Sequence, residues 1–368
     1  MPLRLLILFF SAAVLLLPHR AEAQQDTTQQ GKGLRILGVE LDSVLTPKPP
    51  RVDTTYIASY NRMLHVHLLL EDTDYALRFI SDEKRLIYKP NIASSVGIGV
   101  SYSWLSFNAT IPTPRAGNEE GEKGKTKQFR LGFSFNGRRV WFDTKYEQYK
   151  GLYLSNPEVL EDNWFLHNTR YPLRPDINSK TFYTRVYYSF NNQKFSYPAT
   201  LFRRERQKKS AGSFLLGGTF IYSQVAGDSS LLPARLQSNF PEDANLVRFR
   251  SATYSVNVGY AHTFVFKKYL FTSLSLRPGL AIRSRSGLQP GDVAADLPVQ
   301  LGLQGDGRAT FGFNSNKYYG GITGSLLFSS GSLEASNRQR SYYSEVQILI
   351  GRRFGYKAKG LLDKVPGF

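Results

Sequence analysis

The feature that most constrains this chain is a period of two that runs for ten residues and more at a time, again and again from about residue 92 onward. In residues 254–266, Tyr254, Val256, Val258, Tyr260, His262, Phe264 and Phe266 share one side of an extended chain, and Ser255, Asn257, Gly259, Ala261 and Thr263 share the other. Residues 127–136 set Phe129, Leu131, Phe133 and Phe135 against Gln128, Arg130, Gly132, Ser134 and Asn136. Residues 270–282 set Leu270, Leu274, Leu276, Leu280 and Ile282 against Phe271, Ser273, Ser275 and Arg277, and Val346, Ile348 and Ile350 alternate with Glu345 and Gln347. Successive strand side chains point to opposite faces, so these are strands with one apolar and one polar face. They exceed the ~5–6 residues usual in globular sheets and reach the ~9–11 residues a tilted strand needs to cross a bilayer. The polar face carries full charges, among them Arg130, Lys145, Glu147, Arg185 and Arg277. Aromatic pairs gather near strand ends (Tyr102 and Trp104, Tyr146 and Tyr149, Tyr187 and Tyr188, Tyr318 and Tyr319, Tyr342 and Tyr343), where rings suit a lipid–water boundary.

The connections sharpen this. Strands are expected near 92–102, 104–111, 127–136, 139–149, 179–190, 211–224, 250–265, 269–284, 298–313, 318–329 and 342–354. The joins around Ser103, at Asn136-Gly137, at Lys267-Lys268 and at Ser315 are tight. Residues 112–126, 150–178, 225–249, 285–297 and 330–341 are longer, and 191–210 is the one intermediate case. Asn136-Gly137 is read as a two-residue turn with positive φ at both positions. Outer-membrane barrels alternate short periplasmic turns with longer outer loops, and sandwiches have no reason to. The tight turns are therefore expected at the periplasmic end and residues 150–178 outside. By parity an upward strand precedes residue 92, either 62–70 or 75–81, so the expected fold is all-β: a transmembrane, antiparallel, up-and-down barrel of about twelve strands (range ~10–14).

The N-terminus reads as an export signal. Arg4 precedes the apolar run 5–17, and Ala21-Glu22-Ala23 forms a small-x-small site before Gln24, so cleavage is expected near Ala23-Gln24. No later window approaches ~18 consecutive apolar residues, which excludes a helical inner-membrane protein. The expected organisation is a signal at 1–23, an N-terminal periplasmic segment at 24–61, an outer-membrane barrel at 62–354 and a short periplasmic tail at 355–368. Cysteine is absent, which removes disulfides, thiolate metal sites, a Cys nucleophile and a lipoprotein anchor.

Several segments resemble the "domain of unknown function 4421" family of presumed Gram-negative outer-membrane barrels: Asp53-Thr54-Thr55-Tyr56-Ile57; Tyr88-Lys89-Pro90-Asn91 followed by Gly97-Ile98-Gly99 and Tyr102; residues 143–154; and Glu205-Arg206-Gln207-Lys208-Lys209-Ser210-Ala211-Gly212-Ser213-Phe214. The resemblance covers roughly residues 50–354. It implies the barrel and brings no activity.

Chemistry is sparse. His65 and His67 share a strand face, but zinc needs further ligands. His262 lies on the aromatic face. Glu161, Asp162 and His167 share a long loop without any spacing that marks a hydrolase. No phosphate-binding glycine loop occurs. The net charge of +18 could suit nucleic acid, but export argues against it. The densest basic run gives a candidate contact turn: Arg203, Arg204, Arg206, Lys208 and Lys209. Parity puts it at the periplasmic end, against inner-leaflet anionic headgroups, acidic residues of the chain's own N-terminal segment, or a periplasmic partner. The expected function is a structural barrel or narrow pore without catalysis, cofactor or metal, with outer-membrane lipid and the barrel-insertion machinery as partners. The alternatives are a barrel enzyme acting on lipid or peptide at the outer rim, and a soluble periplasmic barrel binding a small apolar ligand.

Overall fold

The structure is a computed structural model and describes residues 35–36, 39–40, 52–81, 83–113, 119–201, 204–295, 297–329 and 341–356. The signal at 1–23, nearly all of the tail and Arg203 lie outside the described residues. The chain divides into two compact units, Met1–Pro47 and Lys48–Phe368. In the first, β1 (Arg35–Ile36) and β2 (Val39–Glu40) pair antiparallel.

The second unit is a closed antiparallel barrel. Its walls are β4 (Met63–Asp74), β7 (Ser95–Tyr102), β8 (Leu105–Pro112), β9 (Lys127–Phe135), β10 (Val140–Leu154), β11 (Leu173–Ser189), β13 (Ala211–Ala226), β14 (Arg248–Phe266), β15 (Leu270–Gln289), β17 (Gln300–Asn314), β18 (Tyr318–Ser329) and β19 (Ser341–Gly355), in that order around the circle. Closure comes from β19 on β4, with Gly355 opposite Met63 and Ser344 opposite Asp74. Closing the sheet leaves no unpaired edge, the condition for a sheet to sit in hydrocarbon. Three small pairings lie off the wall: β3 (Ile57–Ser59) on β12 (Glu205–Gln207), β5 (Leu77–Ile80) on β6 (Arg85–Lys89), and β16 (Val293–Ala295) on β15. The helices α1 (Glu119–Lys123), α2 (Trp164–His167) and α3 (Tyr197–Thr200) are single turns. No described helix is long and apolar enough to cross a membrane.

The twelve-stranded count resolves the parity question. Residues 63–74 form the first wall strand, while 77–80 turn away and pair with 85–89. The alternation resolves into outside and inside. Val256, Leu280 and Leu303 stand in register on neighbouring strands and are 57%, 73% and 57% exposed. Ser255, Asn257, Arg277 and Asp306 point inward and are buried. Apolar outside and charged inside is the inverse of what a lipocalin-like soluble barrel needs, so the soluble alternative is overturned: this surface is built for lipid.

The short joins behave as turns, with Ser103 at φ 49° and Lys267 at φ 46°. The Asn136-Gly137 expectation needs correction. Neither residue has positive φ among the described residues, and the connection runs over the four residues 136–139 between β9 and β10. Glycine is required at 137 for space, because a Cβ there would meet the Val140 carbonyl at 2.0 Å. In β10 the register slips between Lys150 and Leu152 at Gly151, which has φ 88°. The Lys-Gly segment of the 143–154 motif is therefore a bulge, a place where glycine's left-handed freedom bends a strand.

Candidate functional site

The lumen is the chemical centre of the molecule. Its charges pair across the barrel and not only along the wall. On β9, Arg130 donates to Glu71 of β4 at 3.2 Å and to the Tyr149 hydroxyl at 2.9 Å, and lies 3.4 Å from Glu147 of β10. Lys145 of β10 reaches Glu345 of β19, and the Tyr343 hydroxyl of β19 donates to Glu147 at 2.7 Å. In the neighbouring layer Arg185 of β11 holds Asp143 beside it and Asp306 of β17 at 3.4 Å, while Arg277 pairs with Asp306 from β15. β10 and β19 are separated by at least four other strands around the circle, so these bonds span the interior. Buried charges persist only when paired and hydrogen-bonded.

The end with the short turns is stoppered by residues 190–201 and 204–210, which fold back into the lumen mouth. Tyr197 stacks on Trp141 with ring centres 3.9 Å apart and planes 2° from parallel, and its hydroxyl accepts from Arg277 at 2.8 Å. Gly217 and Gly351 leave room for Tyr187 and Tyr319 to lie against the wall; a Cβ would meet those rings at 2.5 and 2.4 Å. Gln207 staples the fold-back: its side chain accepts from Ser196 N at 3.0 Å and donates to the carbonyls of Lys194 at 2.6 Å and Lys209 at 3.0 Å. Glu205 is fully buried and accepts from Arg138 at 2.6 Å and from the Ser196 hydroxyl. Burial pushes its carboxyl up, and the Arg204 and Arg138 guanidiniums with Ser196 bring it below its ordinary value. β3 from the N-terminal segment adds an edge to this stopper through β12. Nearby, the Thr55 hydroxyl and backbone N–H hold the exposed Asp53 carboxyl below its usual range.

The long-loop end is capped. The β5–β6 hairpin joins the end of β10 through Leu154 opposite Tyr88. Leu86, Tyr88, Leu154, Ile177, Leu231 and Leu236 pack into an apolar core with it, and the Tyr88 hydroxyl donates to the Leu231 carbonyl at 3.0 Å. Beside that core lies a small half-open cleft of about 80 Å³, lined by apolar side chains together with Arg78, Asp243 and Arg285.

The basic run does not form one exposed patch. Arg204 lies 4.0 Å from Glu205. Arg206 is buried, donates to Asn316 at 3.0 Å and stacks 5.0 Å from the Tyr269 ring. Lys208 donates to the Thr54 carbonyl at 2.8 Å, and Lys209 sits over Tyr56 at 5.3 Å. The chain's own N-terminal segment thus meets this run, largely through backbone and aromatic groups. His65 and His67 face inward against Tyr319, and no described group of three acidic or histidine side chains could hold a metal. His262 stacks on Phe264 at 4.3 Å. His167 pairs with Glu161 at 3.4 Å on the exposed rim, beside Arg235 at 3.8 Å from the same carboxylate.

A closed, lipid-facing barrel with a charge-filled interior defines the class: a transmembrane β-barrel. The chain belongs to the family described as "Domain of unknown function (DUF4421)", matched over residues 51–357. No curated protein matches it. Among solved structures it is similar to LpxR from Salmonella typhimurium, at 10% identity and TM-score 0.31, covering 77% of this chain and 99% of that one. It is similar to the outer membrane protease OmpT from Escherichia coli, at 8% and 0.30, covering 80% and 97%. It is also similar to the P. putida toluene transporter TodX, at 8% and 0.25, covering 81% and 91%. These likenesses assign no activity to this chain.

Proposed function

We propose that the protein is a non-catalytic barrel of the outer membrane, exported by a signal cleaved near Ala23-Gln24, whose lumen is closed and whose role is carried by its two ends. In this reading the short-turn end faces the periplasm and the capped end faces outward. Outer-membrane lipid and the barrel-insertion machinery are its partners, and no cofactor or nucleic acid takes part. Lys208 and Lys209, the exposed members of the basic run, are the groups left to meet an inner-leaflet headgroup or periplasmic partner. The observation that carries the closed lumen is the set of ion pairs joining non-adjacent strands across the interior, Glu71–Arg130, Lys145–Glu345 and Arg185–Asp306. A continuous water path must part these bonds, and each parted pair leaves a charge in a confined, low-dielectric space.

The test is conductance. Purified protein refolded into planar bilayers, with insertion verified by heat-modifiable gel mobility, gives no single-channel steps in concentrated KCl. Reproducible ohmic steps from the unmodified chain overturn the reading in favour of a narrow pore.

A further inference from the structure

The outside of the wall carries an unbalanced row of cations at the long-loop end. Lys127 of β9 stands directly opposite Lys150 of β10, Lys150 opposite Asn178 of β11, Asn178 opposite Ala226 of β13, and Ala226 opposite Arg248 of β14. Two residues nearer the middle of the wall, Lys180 stands opposite Gln148 and Gln224, and Gln224 opposite Arg250, which donates to it at 3.1 Å. By alternation these cations share their face with Phe129, Tyr146, Phe182 and Val256, so they point out of the barrel. Lys127, Lys150, Arg248 and Arg250 are exposed, and Lys180 is half-buried. Like charges directly opposite on neighbouring strands repel. Among the described residues no carboxylate pairs with any of these five. On the same side of β11 Asp176 is held by Arg174 at 2.8 Å, and in the loop leading into β9 Glu119 and Glu120 pair with Lys123 and Lys125, both at 3.5 Å.

We propose that this row docks a membrane lipid whose headgroup carries two or more phosphates, with its acyl chains lying on the apolar wall beside it. The cations span four strand spacings, an arc of about 20 Å. An arc of that length has room for only a few headgroups. Lipids with one charge each leave part of the row unmet, and phosphate-dense headgroups meet it. Lys180 and Arg250 stand two strand spacings apart, ~10 Å, too far for one phosphate to touch both and within the span of a headgroup that bears two. Next to the row the wall offers a bed for the chains: Phe129, Leu131 and Phe182 are 52%, 45% and 36% exposed. Charge at one level and apolar surface at the next match an amphiphile held in a bilayer. In the orientation given above, the row lies in the outer leaflet. The proposal takes only that orientation from the closed-lumen reading. Ion conductance would overturn that reading and leave lipid binding, measured in detergent, as it stands.

The experiment uses the full chain in non-ionic detergent and counts bound lipid by native mass spectrometry. The probes are the diphosphoryl and monophosphoryl forms of lipid A, which share their acyl chains, and phosphatidylglycerol. Diphosphoryl lipid A is expected to bind saturably and at least fivefold tighter than the monophosphoryl form, with phosphatidylglycerol weakest. Each cation near an anionic headgroup is worth about fivefold in affinity. Lys127→Gln with Lys150→Gln and Lys180→Gln should therefore lose about 100-fold and the preference for the second phosphate. Lys267→Gln with Lys268→Gln and Lys317→Gln removes as much charge from the exposed turns at the other end and should leave binding unchanged. Lys150→Glu places opposite charges across β9 and β10; it should weaken binding while the heat-modifiable mobility persists to higher temperature. Equal binding of the two lipid A forms by the unmodified protein overturns the proposal. So does binding that survives the 127/150/180 variant or Lys150→Glu in folded protein, or an equal loss in the 267/268/317 variant.

Discussion

At the scale of single residues the interior is governed by charge neutralisation. Arg130 has two carboxylates, Glu71 and Glu147, within 3.2 and 3.4 Å, and the side chains of all three are at most 7% exposed. Removing the cation leaves two like charges facing each other without water, a change of about 3–5 kcal/mol for one broken buried pair. Arg130→Met is therefore expected to lower the urea midpoint by that order, read by tryptophan fluorescence in detergent. Arg130→Met with Glu71→Gln and Glu147→Gln should recover a large part of the loss; a triple variant no better than the single one would show that packing, not charge, sets the cost. The alternation places Arg130, Lys145, Glu147, Arg185 and Arg277 on the polar face directly from sequence. Their partners are not legible there. Arg130 meets Glu71 from three strands away and Lys145 meets Glu345 across the barrel, and such pairings follow from the circumference of the closed sheet.

Elements divide into those set by local pattern and those set by what they fill. The wall strands follow from period two and match their expected spans to within a few residues at most ends, because a one-residue slip would turn every apolar side chain from lipid into the lumen. The stopper does not follow from period. Residues 190–210 are long for a periplasmic turn, and Phe195, Tyr197, Pro198, Ala199 and Leu201 make them unusually apolar for one. That apolar run was the available signal: a turn with so much to bury must return to a core. The β5–β6 hairpin escaped for a similar reason, since its strands of four and five residues alternate too briefly to be told from a wall strand. The stopper is pH-sensitive through Glu205. Its carboxyl is lowered in the folded chain, so its contribution is complete above the ordinary carboxylate value and is lost as pH falls through the lowered one. Tyr197 lies on Trp141, so Trp141 fluorescence in a Trp104→Phe, Trp164→Phe background reports the seat of the stopper. We expect a reversible acid transition in that signal. Glu205→Gln should show the loosened signal already at neutral pH and no acid transition; an unchanged transition in that variant would assign the effect to another group.

For the molecule as a whole, the decisive quantity is the energy of its outer surface. Val256 and Leu280 stand in register on the exterior near the middle of β14 and β15, the depth at which a charge is most costly. An arginine at the bilayer midplane of a barrel costs ~2–4 kcal/mol, falling to ~0–1 near the interfaces. Leu280→Arg is thus expected to lose ~2–4 kcal/mol in reversible unfolding from phosphatidylcholine vesicles. Phe266→Arg, at the short-turn end of β14 and 49% exposed, should lose ~1 kcal/mol or less. Both positions are open to the surroundings, so in a barrel bathed by water the two substitutions would be equally harmless, and Leu280→Arg would make the protein more soluble. A depth-dependent penalty can arise only if hydrocarbon covers the middle of the wall. Equal, near-zero effects at 266 and 280 would mean that the apolar belt meets something other than a bilayer, and the transmembrane assignment would fall with it.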